Sequence, residues 1–158
     1  MSEDRTAIDT ITGYYYQFDY YILELLSQDN LNNVVTIEAI EDVDIHTQNG
    51  CTAVQCKYYE KTEYNHSVIS KPIRLMLKNF KENSDSRNQR NYKIYGHFHS
   101  GQTKLEQPIS IDFLKAKFLT YTEAKQKHEY HIELNLSDNE IQTFLNHLCI
   151  DINACKFD

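Results

Sequence analysis

The chain has 158 residues and a mass of 18.7 kDa, the size of a single domain that buries a core without disulfide or metal staples and too short for two ordinary domains. A composition of 41% apolar and 25% charged residues, with Gly 4 and Pro 2, excludes a disordered or fibrous polymer. The formal charge of −7 argues against non-specific coating of nucleic acid, but it is unevenly spread: residues 1–56 set ten acids against Arg5 alone, residues 57–93 hold nine bases and four acids, and residues 94–158 hold six bases and nine acids.

No run approaches the roughly 18 uninterrupted apolar residues of a membrane helix, and the acidic start MSEDRTAIDT has neither the basic nor the apolar part of a signal peptide. A cytoplasmic protein without membrane contact is expected. Cys51, Cys56, Cys149 and Cys155 form no CxxC and have no histidine at finger spacing. They read as reduced, mostly buried thiols rather than a zinc ribbon or a disulfide framework.

The first element is a helix over about Asp9–Gln28. Ile11, Tyr15, Phe18, Ile22 and Leu25 recur at helical spacing and are expected to pack on a sheet, with Gln17, Tyr20 and Glu24 on an adjoining face. The run Val34–Ile40 is β-branched and reads as a strand. Thr47-Gln48-Asn49-Gly50 supplies a hairpin turn, and Cys51–Tyr59 returns as the paired strand. Period two puts Ala53, Gln55, Lys57 and Tyr59 on one face of that strand and Val54, Cys56 and Tyr58 on the other.

A second helix is expected over Lys71–Glu82, with Pro72 in its first turn. Ile73, Met76, Leu77 and Phe80 form its buried stripe, and Lys71, Arg74, Lys78 and Lys81 a basic stripe beside it. A polar loop over 83–91 precedes a strand at Tyr92–His99. Residues 111–127 read as weakly helical and Tyr130–Leu136 as a strand. Ser137-Asp138-Asn139-Glu140 is a capping box that opens a last helix through Ile141, Phe144, Leu145 and Leu148.

The chemistry sits on the hairpin. Asp44 follows the first strand, and Gln55 and Lys57 share a face of the second, so pairing can gather a carboxylate, a neutral oxygen donor and an ammonium. That set suits phosphodiester hydrolysis. Mg²⁺ is held by one or two carboxylates, waters and substrate phosphate, and a lysine orients the attacking water. Phosphates repelled by the acidic N-terminal third need a local positive rail, which Lys71, Arg74, Lys78 and Lys81 are placed to supply. A histidine metal site built on His97, His99, His128 or His131 lacks a carboxylate at diagnostic spacing, and Cys56 faces away from Gln55 and Lys57, which argues against a cysteine nucleophile.

The strings Glu41-Asp42-Val43-Asp44 and Val54-Gln55-Cys56-Lys57-Tyr58 resemble the PD-(D/E)xK, or restriction-endonuclease-like, superfamily in its D…QxK form. The closer resemblance is to the double-stranded DNA endonuclease domain of CD-NTase-associated (CBASS) effectors and related bacterial anti-phage systems. It extends to Gly13-Tyr14-Tyr15-Tyr16-Gln17 and to Phe144–Ile150, and so spans most of the chain. It implies an α/β fold with a restriction-endonuclease-like core, a central mixed β-sheet flanked by helices, in a single domain over 1–158 that can be the N-terminal part of a longer effector.

The resemblance also implies a Mg²⁺- or Mn²⁺-dependent endonuclease acting on double-stranded DNA in antiviral defence, as a homo-oligomer and with a fused or separate sensor or ATPase. Asp44 becomes the principal metal ligand, Gln55 the metal-site residue of the second strand, and Lys57 the catalytic lysine, with Glu38, Asp42 and Gln17 secondary. Gln55 replaces the usual acid and removes one charge, leaving Glu38 or Asp42 to make it up. Which of Glu38, Asp42 and Asp44 meets the ion depends on where the strand ends, because a shift of one residue swaps the faces. The alternative is a catalytically silent module that keeps the fold to bind nucleic acid or protein.

Overall fold

The computed structural model describes residues 2–84 and 90–156. Helix α1 (Ser2–Ser27) leads into strands β1 (Val34–Ile37), β2 (Val43–Thr47) and β3 (Gly50–Glu63), then helix α2 (His66–Glu82) and strand β4 (Arg90–Ser100). After a single 3₁₀ turn come α3 (Ile111–Leu114), which runs on as a π-helical turn over Lys115–Leu119, and the strands β5 (Thr120–Glu123) and β6 (Gln126–Glu129). Helices α4 (Tyr130–Glu133) and α5 (Asp138–Asn146) and strand β7 (Leu148–Asp151) complete the order. Residues 85–89, the centre of the expected polar loop, lie outside the described residues.

The main sheet is mixed and runs β1-β2-β3-β4-β7. β1, β2 and β3 are antiparallel, whereas β4 lies parallel to β3 and β7 parallel to β4. Parallel neighbours need crossovers, which α2 supplies between β3 and β4 and α3 to α5 supply between β4 and β7. β5 and β6 form a separate two-stranded hairpin. The protein is thus α/β, a five-stranded sheet flanked by helices. No helix among the described residues is long and apolar enough to cross a membrane.

The period-two pattern sorts the two faces. Ala53, Tyr92, Ile94 and Phe98 join the main core with Ile69, Ile73, Met76 and Leu77 of α2 and Ile141 and Phe144 of α5. Each such side chain contributes about 1.5–3 kcal/mol on burial. The other face presents Val43, Val54 and Cys56 to Tyr16 and Tyr20 of α1, in a second and smaller core.

α1 is rotated from the expected orientation. Ile11, Tyr15, Phe18, Ile22 and Leu25 are exposed, and Tyr16, Gln17 and Tyr20 are buried instead. Aromatic matching accounts for the choice: Tyr16 packs on Tyr58 at 4.7 Å between ring centroids, and Tyr20 on Tyr95 at 4.3 Å. Tyr16 also donates its hydroxyl to the Cys155 carbonyl, at 3.1 Å.

Other elements depart from expectation in smaller ways. The segment 34–40 stops as a strand at Ile37 and turns through a five-residue loop into β2. α2 starts at His66, so Pro72 stands inside it and not in its first turn. Residues 120–129 are a hairpin and not a helix, and Tyr130–Glu133 is a single helical turn and not a strand. The capping box forms as read: Ser137 Oγ accepts from Glu140 N while the Glu140 carboxylate accepts from Ser137 N. Of the four free thiols, Cys51 and Cys56 are buried, but Cys149 and Cys155 are exposed.

Candidate functional site

The loop 38–42 joins two antiparallel strands whose last pair is Ile37 with Val43. Its closure is anchored from α1. The buried Gln17 donates from Nε2 to Glu38 Oε1 at 2.9 Å and to the Asp42 carbonyl at 3.1 Å, and Glu38 N donates to that same carbonyl at 3.1 Å. Glu38 is held at φ +56°, a left-handed conformation uncommon outside glycine and asparagine. The polar Gln17 therefore sets the rotation of α1 as much as the tyrosines beside it.

On the hairpin, Val43 pairs with Val54, so Asp42 lies just past the end of β2, next to Gln55. There the strand has ended, and the amide of Cys56 would have no ladder partner. Asp42 Oδ2 takes that place, accepting from Cys56 N at 2.8 Å and from Gln55 Nε2. Asp42 Oδ1 and Gln55 Oε1 make no hydrogen bond among the described residues. Lys57 follows on the same face as Gln55 and has neither ion pair nor hydrogen bond among the described residues. Its parallel partner on β4 is Gly96, whose missing side chain leaves room that the Phe98 ring fills beside Lys57.

The expected principal ligand occupies a different place. Asp44 is 0% exposed, and its two oxygens accept from the backbone of the loop, Oδ2 from Ile40 N at 2.7 Å and Oδ1 from Glu41 N at 3.2 Å. It braces the turn from within. The acid in hydrogen-bond contact with Gln55 is Asp42, not Asp44.

Glu41, absent from the expected set, belongs to the cluster. Burial and the neighbouring carboxylates of Asp42 and Asp44 push it up to about 7, with Lys57 pulling the other way. Burial also raises Asp42, against the lowering effect of the Cys56 amide, Lys57 and Gln55. Its sequence signal was its place in an unbroken acidic string with Asp42, which alternation alone does not rank.

Glu38, Glu41, Asp42 and Asp44 thus sit together with Lys57 as the cation that acts on the two raised acids. Of these acids only Asp44 is buried, with both oxygens taken by backbone amides; Glu41 and Asp42 are half-buried and Glu38 is exposed, so the carboxylate and amide oxygens of Asp42 and Gln55 are the donors of a type that fits Mg²⁺ or Mn²⁺. No group of three His, Cys, Asp or Glu side chains among the described residues is set to hold a metal. The fit rests on Asp42 with Gln55, on Glu41 beside them, and on waters and substrate phosphate, as Mg²⁺ sites commonly do.

The basic stripe of α2 is largely committed elsewhere. Arg74 donates to the Phe118 carbonyl at 3.1 Å and lies 4.1 Å over the Tyr121 ring. Lys81 is paired with Glu140, and Lys78 stands 3.8 Å from Glu82. Of the four, Lys71 has no ion pair or hydrogen bond among the described residues and Lys78 only the loose one, while Arg74 and Lys81 are held by close partners. His97 Nδ1 donates to the Ala154 carbonyl at 2.9 Å, and its ring stacks on Tyr58. Comparisons of the chain with protein-family models, with curated proteins and with solved structures found no match.

Proposed function

We propose that this chain is a divalent-metal-dependent endonuclease with a restriction-endonuclease-like core, acting on double-stranded DNA in bacterial anti-phage defence in the cytoplasm. The observation that carries the reading is the arrangement at the end of the β2–β3 hairpin. There Asp42 and Gln55 join, Glu41 stands beside them with a raised carboxyl, and Lys57 projects from the same strand face as Gln55. The order helix, three antiparallel strands, helix, parallel strand supports the same superfamily. A sensor or ATPase, fused or separate, belongs to the proposal as the partner that switches the domain on.

In this reading Asp42, with Gln55 and Glu41, would hold Mg²⁺ or Mn²⁺, which when bound would supply an acidified water and shield the attack from phosphate charge. Gln55 Nε2 and Cys56 N hold the Asp42 carboxylate through Oδ2 and leave Oδ1 without a hydrogen bond among the described residues. Lys57 Nζ sits where it can donate to the attacking water or to a phosphate oxygen. Gln17, through Glu38 and the Asp42 backbone, keeps the loop in register, and Asp44 holds it from below.

The test is cleavage of supercoiled plasmid with Mg²⁺, Mn²⁺ or EDTA, comparing wild type with Lys57→Ala and Asp42→Asn at matched folding. Cleavage lost in EDTA and in both variants is the expected result. A folded wild type that neither cleaves nor binds Mn²⁺ in calorimetry turns the reading to the silent binding module, which the missing charge at Gln55 and the committed Arg74 and Lys81 also favour.

A further inference from the structure

Helix α1 has two apolar faces, and the fold of one chain covers one of them. Tyr16, Gln17 and Tyr20 are buried on the sheet. On the other side Ile8, Ile11, Tyr15, Phe18, Ile22 and Leu25 follow one another at intervals of three, four, three, four and three, and each is between 45% and 62% exposed. That alternation averages 3.5 residues and draws a narrow seam along the helix, the pattern by which one helix packs lengthwise on another. A helix facing only water has no use for it.

We propose that this seam is a homodimer interface, in which α1 of one copy packs along α1 of a second. The first argument is area. The six residues, each about half exposed, and the adjoining Leu26, 79% exposed, form one continuous apolar surface from Ile8 to Leu26 along the helix. A monomer rarely leaves so large a contiguous apolar patch in water.

The second argument is charge. In an acid-rich N-terminal third, the positions flanking the seam between Ile11 and Leu26 are Thr12, Tyr14, Asp19 and Tyr21, with Asp19 their one charge. Asp9 and Glu24 stand off the seam. Self-pairing therefore brings little like-charge repulsion, and the flanks lack the complementary charges by which a helix selects a different partner. The same surface on both copies closes under a twofold axis, so the assembly stops at two. The inference does not depend on the metal site.

The full chain is to be followed by sedimentation equilibrium from about 1 to about 100 µM. Wild type is expected at twice 18.7 kDa, and Phe18→Glu with Ile22→Glu is expected to weaken association at least about a hundredfold, since charges would be buried at the centre of the seam. Leu75→Glu, at a 52% exposed apolar position on α2, should stay dimeric. A monomeric wild type at the top concentration, a dimer that survives the double substitution, or dissociation by Leu75→Glu overturns the proposal. If the double variant does not fold, the wild type decides alone: its melting temperature rises with protein concentration for a dimer and is independent of it otherwise.

Discussion

Replacing Asp44 and Asp42 separately by asparagine distinguishes a brace from a ligand. Asp44 is fully buried and accepts one backbone N–H on each oxygen, from Ile40 and Glu41. An asparagine keeps one acceptor and turns an NH₂ group toward the other donor. One charge-assisted hydrogen bond, worth about 1.5–3 kcal/mol, is lost and a buried amide is left without a partner. Relief of repulsion against Glu41 offsets part of this, so we expect a net loss of about 2 kcal/mol, or roughly 4–8 °C in melting temperature for a chain of this size. Asp42→Asn should behave differently, because its amide oxygen can still accept from Cys56 N and Gln55 Nε2. Its stability should stay within about 1 kcal/mol of wild type. Its Mn²⁺ affinity should fall more than about a hundredfold, since even the outer partners of metal ligands cost ten- to a hundredfold. Urea unfolding and Mn²⁺ calorimetry on the same preparations measure both quantities. An Asp44→Asn protein as stable as wild type, or one that loses Mn²⁺ binding while Asp42→Asn retains it, refutes the assignment.

Glu41 gives a pH test in metal-free buffer. The unfolded chain releases its proton near 4.5 and the folded chain near 7, so between these values the unfolded state binds fewer protons and stability falls as pH rises, levelling off above 7. Glu41→Gln should flatten that fall in melting temperature, and an unchanged profile rejects the raised carboxyl. Gly13→Ala should stabilise by about 0.5–1 kcal/mol in chemical unfolding, because the helix is already formed there and an added Cβ meets nothing within 4 Å; a loss of stability would contradict the placement of α1. With Lys71 and Lys78 as the open members of the α2 stripe, Lys71→Ala with Lys78→Ala should lower the slope of log Kd for a DNA duplex against log salt by about 2. Arg74→Ala and Lys81→Ala should leave that slope unchanged.

The parts of the fold announced by local chemistry were legible in the sequence. Asn49-Gly50 marked the β2–β3 turn, Ser137 and Glu140 marked the start of α5, and alternation marked β4 and the face shared by Gln55 and Lys57. Gln17, Glu38, Asp42 and Gln55, which the resemblance had named, are joined by hydrogen bonds, whereas Asp44, which it ranked first among the acids, turns to the loop backbone instead. The choice among the acids rests on where β2 begins, a matter of one residue, and on which backbone amides lose ladder partners. The β5–β6 hairpin was hidden because Ala124 and Lys125 both take positive φ, at 49° and 65°, without the Asn-Gly chemistry that usually signals such a turn. The orientation of α1 was hidden because both of its faces are apolar, and only the tyrosines of the sheet and the acids of the loop distinguish them.

The way α1 is attached bears on when the site exists at all. Its tyrosines belong to a small core of their own, apart from the larger one beneath α2 and α5, and Gln17 is the strut from α1 to the loop 38–42. The helix can therefore lift as a cooperative unit while the β3–β4 pair stays closed. In that opened state Glu38 and the Asp42 carbonyl lose the Gln17 amide, while the Asp42 carboxylate keeps Cys56 N and Gln55. The order of the loop 38–42 then follows the population of docked α1, and anything that grips the helix from outside raises it without touching an acid.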